Sequence, residues 1–124
     1  MNTHEIEYVI SSSPVKKYTY FIKKTSDFEE IRGLFDSGWA LTEDDSGNRL
    51  LPLWPKKEFA ELCICGEWSG YKAKSIPLDE FINEWIPACI DDNTSFSVFM
   101  YDDQSILRTP QQLLHDLNEE LEKY

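Results

Sequence analysis

Residues 95–101, SFSVFMY, place apolar side chains on both faces of one strand: Phe96, Val98 and Met100 on one, Phe99 and Tyr101 on the other. Successive side chains of a strand point to opposite faces. Apolar residues on both faces therefore need cover from two sides, which puts this strand in the middle of a sheet. The chain carries helices to supply that cover. Ser13-Pro14 is a start signal, because serine accepts from an orphan N–H and proline fits the first helical position. Val15, Tyr18, Phe21, Ile22 and Thr25 then share a helical face over 14–25, with Lys16, Lys17, Lys23 and Lys24 mostly off it. Pro77 opens the most amphipathic helix, in which Leu78, Phe81, Ile82, Trp85 and Ile86 recur at i, i+3, i+4, i+7 and i+8. Pro87 ends or kinks it. Thr109-Pro110-Gln111-Gln112 is a capping box that starts a helix over 110–122, with Leu113, Leu114, Leu117 and Leu121 as its buried stripe.

The other elements follow from turn chemistry and alternation. Residues 3–10 fit a short helix with Thr3 as N-cap, and a strand is the competing reading. Phe28 to Phe35 reads as a strand, in which Gly33 marks a bulge or a close approach of backbone. Strands at 39–43 and 49–54 flank the hairpin turn Asp44-Asp45-Ser46-Gly47-Asn48. Pro52 cannot donate to a ladder, so the second of these is at an edge or breaks its pairing there. A helix runs from Pro55 to about Cys65, with Phe59, Leu62 and Cys63 on one side. The loop Gly66-Glu67-Trp68-Ser69-Gly70 and a strand over 71–76 come next. Asp102-Asp103-Gln104 turns the chain. A length of 124 residues suits one domain. The expectation is a single α+β domain over 1–124. It has a mixed, largely antiparallel sheet of about five strands with four to five helices packed on it, and 1–12 form a loosely packed N-terminal helix.

Charge excludes some partners. The formal net charge is −11, from 23 acidic and 12 basic side chains. Such a surface repels phosphate backbones and anionic membranes, so neither nucleic acid nor membrane is expected as a partner. No N-terminal signal and no apolar run long enough to span a bilayer is present, which points to the cytosol. Three cysteines in that compartment are expected to be reduced thiols.

No set of residues demands a particular chemistry. Cys63-Ile64-Cys65 is a C-x-C pair, Cys89 is distant, and the familiar zinc spacing is absent. The histidines, His4 and His115, lie in terminal helices, and nothing places either beside a cysteine. The acidic pairs Asp44-Asp45, Asp91-Asp92 and Asp102-Asp103 fall in turns, where nothing desolvates a carboxyl. Asp44–Asn48 lacks the alternation and closing glutamate of an EF-hand loop. No phosphate-loop, dinucleotide or nucleophile-elbow motif occurs. No catalytic residue, metal or cofactor is therefore expected. The tryptophans remain. Trp39 and Trp85 read as core. Trp54 sits at a strand end, and Trp68 and Tyr71 bracket a glycine loop. Large loop aromatics are enriched at binding hot spots, so Trp54, Glu67, Trp68 and Tyr71 are the candidate binding residues.

Several segments in order carry a resemblance: YTYFIKKTSD at 18–27, Gly33-Leu34, GWAL at 38–41, LPLWP at 51–55, Phe59-Ala60-Glu61, Glu67-Trp68, Tyr71, IPLDEF at 76–81 and Ser97-Val98-Phe99. With the leucine-rich last helix, they make the chain resemble the small bacterial family known as domain of unknown function 2750, from about Pro14 onward. The resemblance implies a small cytosolic protein and transfers no activity or catalytic residue. From the residues themselves, the expected function is a non-enzymatic module binding a protein or peptide. The alternatives are an acidic immunity protein that neutralises a basic toxin and, behind it, a thiol- or metal-dependent enzyme using Cys63, Cys65 and Cys89.

Overall fold

The computed structural model describes residues 2–124. Helices α1 (Thr3–Ile10) and α2 (Pro14–Phe28) precede strand β1 (Glu30–Phe35), the short β2 (Thr42–Glu43) and β3 (Arg49–Leu53). Helix α3 (Lys57–Glu61), a 3-10 turn at Gly66–Trp68 and β4 (Lys72–Pro77) follow. A long helix, α4, then runs from Leu78–Glu80 through a π turn at Phe81–Trp85 into Ile86–Asp91. The chain closes with β5 (Ser95–Tyr101), β6 (Gln104–Arg108) and α5 (Pro110–Leu121).

The fold is α+β and mostly antiparallel, as the sequence implied. The strands form two ladders rather than one sheet of five: β2-β3-β5-β6, and the pair β1-β4. Among the described residues only β3 and β5 run parallel. The ladders are stitched by one bridge, in which Arg32 and Trp54 exchange both backbone hydrogen bonds at 2.9 and 2.8 Å. Pro52 explains why the stitch is so short. Backbone groups alternate in direction along a strand, so Pro52 faces the same edge of β3 as Trp54 and Leu50. That edge holds β2 at Leu50 and β1 at Trp54. The missing N–H of Pro52 falls in the gap between them. β3 is thus interior, and its pairing breaks at the proline.

β5 is central, between β3 and β6, and Phe96 to Phe99 are buried in succession. Phe96 meets Phe81 of α4 at 5.3 Å between ring centroids, and Phe99 meets Phe59 of α3 at 4.8 Å and Tyr20 of α2 at 6.3 Å. The turn expected at Asp102-Asp103-Gln104 is present, but the strand that follows it, β6, has no counterpart in the sequence pattern. The turn is two residues, Asp102 and Asp103, both left-handed at φ 52 and 61°. That is the geometry usually supplied by Asn-Gly, and Asp-Asp does not advertise it.

Local signals set the helix starts. Ser13 accepts from the Lys16 N–H at 3.2 Å, and Thr109 and Gln112 form the reciprocal capping box. The cap of α1 is Asn2 rather than Thr3: its side chain accepts from the Glu5 N–H at 2.8 Å. Interior faces were less legible. Helix α2 continues past Ser26-Asp27 to Phe28, because Thr25 and Ser26 are buried in packing that overrides their weak helix propensity. Glu29 then ends it in the left-handed region. Val15, placed inward by periodicity, is 66% exposed, whereas Lys17 is only 3% exposed. The Lys17 ammonium reaches back to the Ile10 carbonyl at 3.4 Å and lies over the Tyr101 ring. A cation suits that place, since Ile10 is the last residue of α1 and its carbonyl end is negative. Helix α3 stops at Glu61, leaving Leu62 exposed.

Helix α4 holds the departure that shapes the surface. A proline removes an N–H and its ring crowds the carbonyl four residues back. Here Pro87 neither ends nor breaks the helix. The turn before it widens, with Ile86 N–H bonding to the Phe81 carbonyl five residues earlier. The extra residue shifts the buried stripe to Leu78, Phe81, Ile86 and Cys89, and leaves Ile82 and Trp85 only half-buried.

Candidate functional site

The structure brings two of the four sequence-derived candidates together, inside the protein. Trp54 is fully buried and its indole N–H donates to the Met100 carbonyl at 3.0 Å. Trp68 packs edge-on against it at 6.4 Å and is 9% exposed. Tyr71 is half-buried and Glu67 exposed. The Met100 carbonyl is free for the indole because β5 bulges there. Its register with β6 shifts between Val98 and Tyr101, and Phe99 adopts φ 58°. The Cys63 thiol shares the same carbonyl at 3.2 Å.

A groove of about 590 Å³ lies instead between α4 and the sheet. Its apolar lining is Trp39, Leu41, Leu51, Trp85 and Ala88, with Cys89 and Thr94 beside them. Trp39 and Trp85, both read as core from sequence, form its aromatic wall. Their rings meet edge-to-face at 4.9 Å and 81°. Trp39 is held from behind by Phe35 at 5.1 Å and by Gly33, where an added Cβ would stand 2.9 Å from the indole. Neither the bulge nor the backbone approach expected at Gly33 occurs: β1 runs through it in unbroken register with β4, and the close neighbour is this ring. Trp85 stacks on Phe81, and its indole N–H donates to the Glu80 carboxylate at 3.2 Å. Leu41, 49% exposed, completes the apolar lining. The sequence hint for this groove was Pro87, since a proline inside a good amphipathic pattern marks a turn that cannot be regular. π turns of this kind often accompany functional sites.

The charges of the groove are segregated. Glu80 and Glu84 stand on α4 and Asp92 just beyond its end, while the one cation, Arg49, belongs to β3. The acidic wall continues into a smaller depression, of about 380 Å³, bordered by Asp79, Glu80, Asn83 and Glu84.

Two other clusters are structural. Tyr18 donates to Asp116, which also binds Arg108 at 2.6 Å, so α2, β6 and α5 are tied at one point. Burial, and then the Asp116 carboxylate, hold the Tyr18 proton above its ordinary range. In the Asp44–Asn48 turn, Asp44 accepts from Asn48 and Ser46, and the Asn48 side chain holds the Asp44 carboxyl below its usual value.

The thiols differ among themselves. Burial pushes Cys63 and Cys89 up to about 11 from 9.0, while Cys65 is exposed. Because thiolate is the reactive form, titration of native protein with a disulfide reagent near pH 8 should show one fast thiol and two slow ones. A Cys65→Ser variant should lack the fast phase. The raised values also make the folded state hold its thiol protons more tightly than the unfolded chain. Their contribution to stability is complete below pH 9.0 and is lost as pH rises through about 11. Among the described residues, no group of three or more His, Cys, Asp or Glu side chains is disposed to hold a metal ion. No helix among them is long and apolar enough to cross a membrane.

The fold and groove define a small α+β domain with an aromatic, acid-walled surface cleft. The family model described as protein of unknown function, DUF2750, matches residues 18–117, and the chain belongs to that family. Comparison with curated proteins gave no match.

Proposed function

We propose that this chain is a non-enzymatic binding domain for a protein or peptide segment, and that the segment docks in the groove walled by Trp39 and Trp85. The observation that carries this reading is the pair of half-buried tryptophans in one cleft. Ligand clefts commonly hold about 300–1,000 Å³ with a mainly apolar lining, and tryptophan is the residue most enriched at binding hot spots. A non-enzymatic role is supported by the protonated thiols of half-buried Cys63 and buried Cys89 and by the placement of both histidines. His4 is exposed on α1, and His115 is exposed on α5 beside Glu119. Glu67 is exposed and Tyr71 half-buried, both outside the groove lining, and Tyr71 serves as the internal comparison.

The test is selection of displayed random peptides on the immobilised protein, followed by ¹H–¹⁵N spectra of the four tryptophan indoles. Recovered peptides should move the Trp39 and Trp85 signals. Trp85→Ala should weaken binding about thirtyfold, the scale of a hot-spot residue, whereas Tyr71→Ala should leave it unchanged. Binders that tolerate both Trp39→Ala and Trp85→Ala would refute the groove. Trp85→Phe, which keeps the packing on Phe81, controls for folding.

A further inference from the structure

Building on the groove reading, we infer that its occupant is a peptide segment presenting a basic side chain, lysine or arginine, beside an apolar residue, with the cation seated against Trp85. The first support is charge. The charged lining is three carboxylates, Glu80, Glu84 and Asp92, against the single guanidinium of Arg49. None of the ion pairs among the described residues engages those carboxylates. The acids lie on the α4 wall and the guanidinium on the sheet wall, so the field across the groove draws a cation towards the helix. A cleft lined by one sign of charge with low-dielectric walls focuses its field.

The second support is the tryptophan itself. A cation over an aromatic face is most strongly held by tryptophan. The protein uses this contact repeatedly within its own fold: Lys74 lies over Phe35 and Trp39, Lys56 over Phe28, and Lys24 over Tyr20. Among the described residues Trp85 has no such cation. It does have an indole N–H donating to the Glu80 carboxylate. Donation to an anion raises the electron density of the ring and strengthens its pull on a cation. Leu41, Leu51 and Ala88 alongside supply apolar surface for the methylene stem of the basic residue and for its neighbour. The overall charge of −11 steers such a segment in.

The peptides recovered by selection provide the test. Those that depend on Trp85 should contain lysine or arginine. Replacing that residue by glutamine, or acetylating the lysine, should weaken binding by at least about tenfold. The double variant Glu84→Gln/Asp92→Asn should lose a similar factor while keeping the wild-type thermal transition. Affinity should also fall as sodium chloride rises from about 0.05 to 0.5 M, where the screening length shortens. Trp85-dependent peptides without a basic residue, or ones indifferent to Glu84→Gln/Asp92→Asn, would overturn this inference and leave the groove reading standing. Absence of any Trp85-dependent peptide would overturn both.

Discussion

Trp54→Ala is expected to destabilise the protein by about 3–5 kcal/mol, the range for deleting a large buried ring. The indole is fully buried, meets Trp68 edge-on, and donates to the Met100 carbonyl. Its backbone is also the stitch between the two ladders through Arg32. A loss of that size is a third or more of the stability of a domain near the lower end of the usual range, about 5–15 kcal/mol. Trp54→Phe separates ring from hydrogen bond. It keeps most of the packing but leaves the Met100 carbonyl with only the weak thiol donor of Cys63, so about 1–2 kcal/mol should be lost. Urea midpoints at constant slope measure both. A Trp54→Ala protein within about 1 kcal/mol of wild type would show that this ring does not anchor the core.

At Phe99 the expected result is a reversal of order. Its ring packs between Tyr20 and Phe59, so either Phe99→Ala or Phe99→Gly should cost about 3–5 kcal/mol. In an ordinary strand the glycine variant would be the less stable, by about 0.5–1 kcal/mol. Here the backbone is left-handed at φ 58°, a conformation that costs an L side chain roughly 1–2 kcal/mol and costs glycine nothing. The glycine variant should therefore be the more stable of the two, by about 1 kcal/mol. Slow exchange of the Trp54 indole proton in that variant would show that the bulge still presents the Met100 carbonyl. An alanine variant more stable than the glycine one would mean that the bulge relaxes once the ring is gone.

These two residues mark where the sequence was informative about architecture and silent about geometry. The strand at 95–101 and its two-sided burial are legible because alternation of apolar residues is a property of the strand itself. The bulge inside it is not, because nothing in SFSVFMY distinguishes Phe99 from its neighbours. Trp54 was visible as a large aromatic at a strand end, which fits a surface anchor as well as a core residue. Its burial depends on Trp68, Met100 and Arg32, all distant in sequence. The groove was hidden for the same reason. Trp85 fits the helical stripe of α4 perfectly by spacing, and only the widened turn before Pro87 rotates it outward to meet Trp39. Lys17 and Val15 exchanged their expected sides because α1 folds back over α2, which no periodicity within α2 can foretell.

The sequence alone determined the helix starts at Ser13 and Thr109, the hairpin at Asp44–Asn48, the central place of 95–101, the α+β class and the acidic surface. Each rests on hydrogen bonds or periodicities contained within a few residues. Tertiary structure alone decided the split into two ladders at Pro52, the left-handed Phe99, the burial of Trp54 and Trp68, and the meeting of Trp39 with Trp85. Those depend on packing between segments far apart in the chain, where the volume and shape of the partner, rather than local preference, fix which face of a residue is covered.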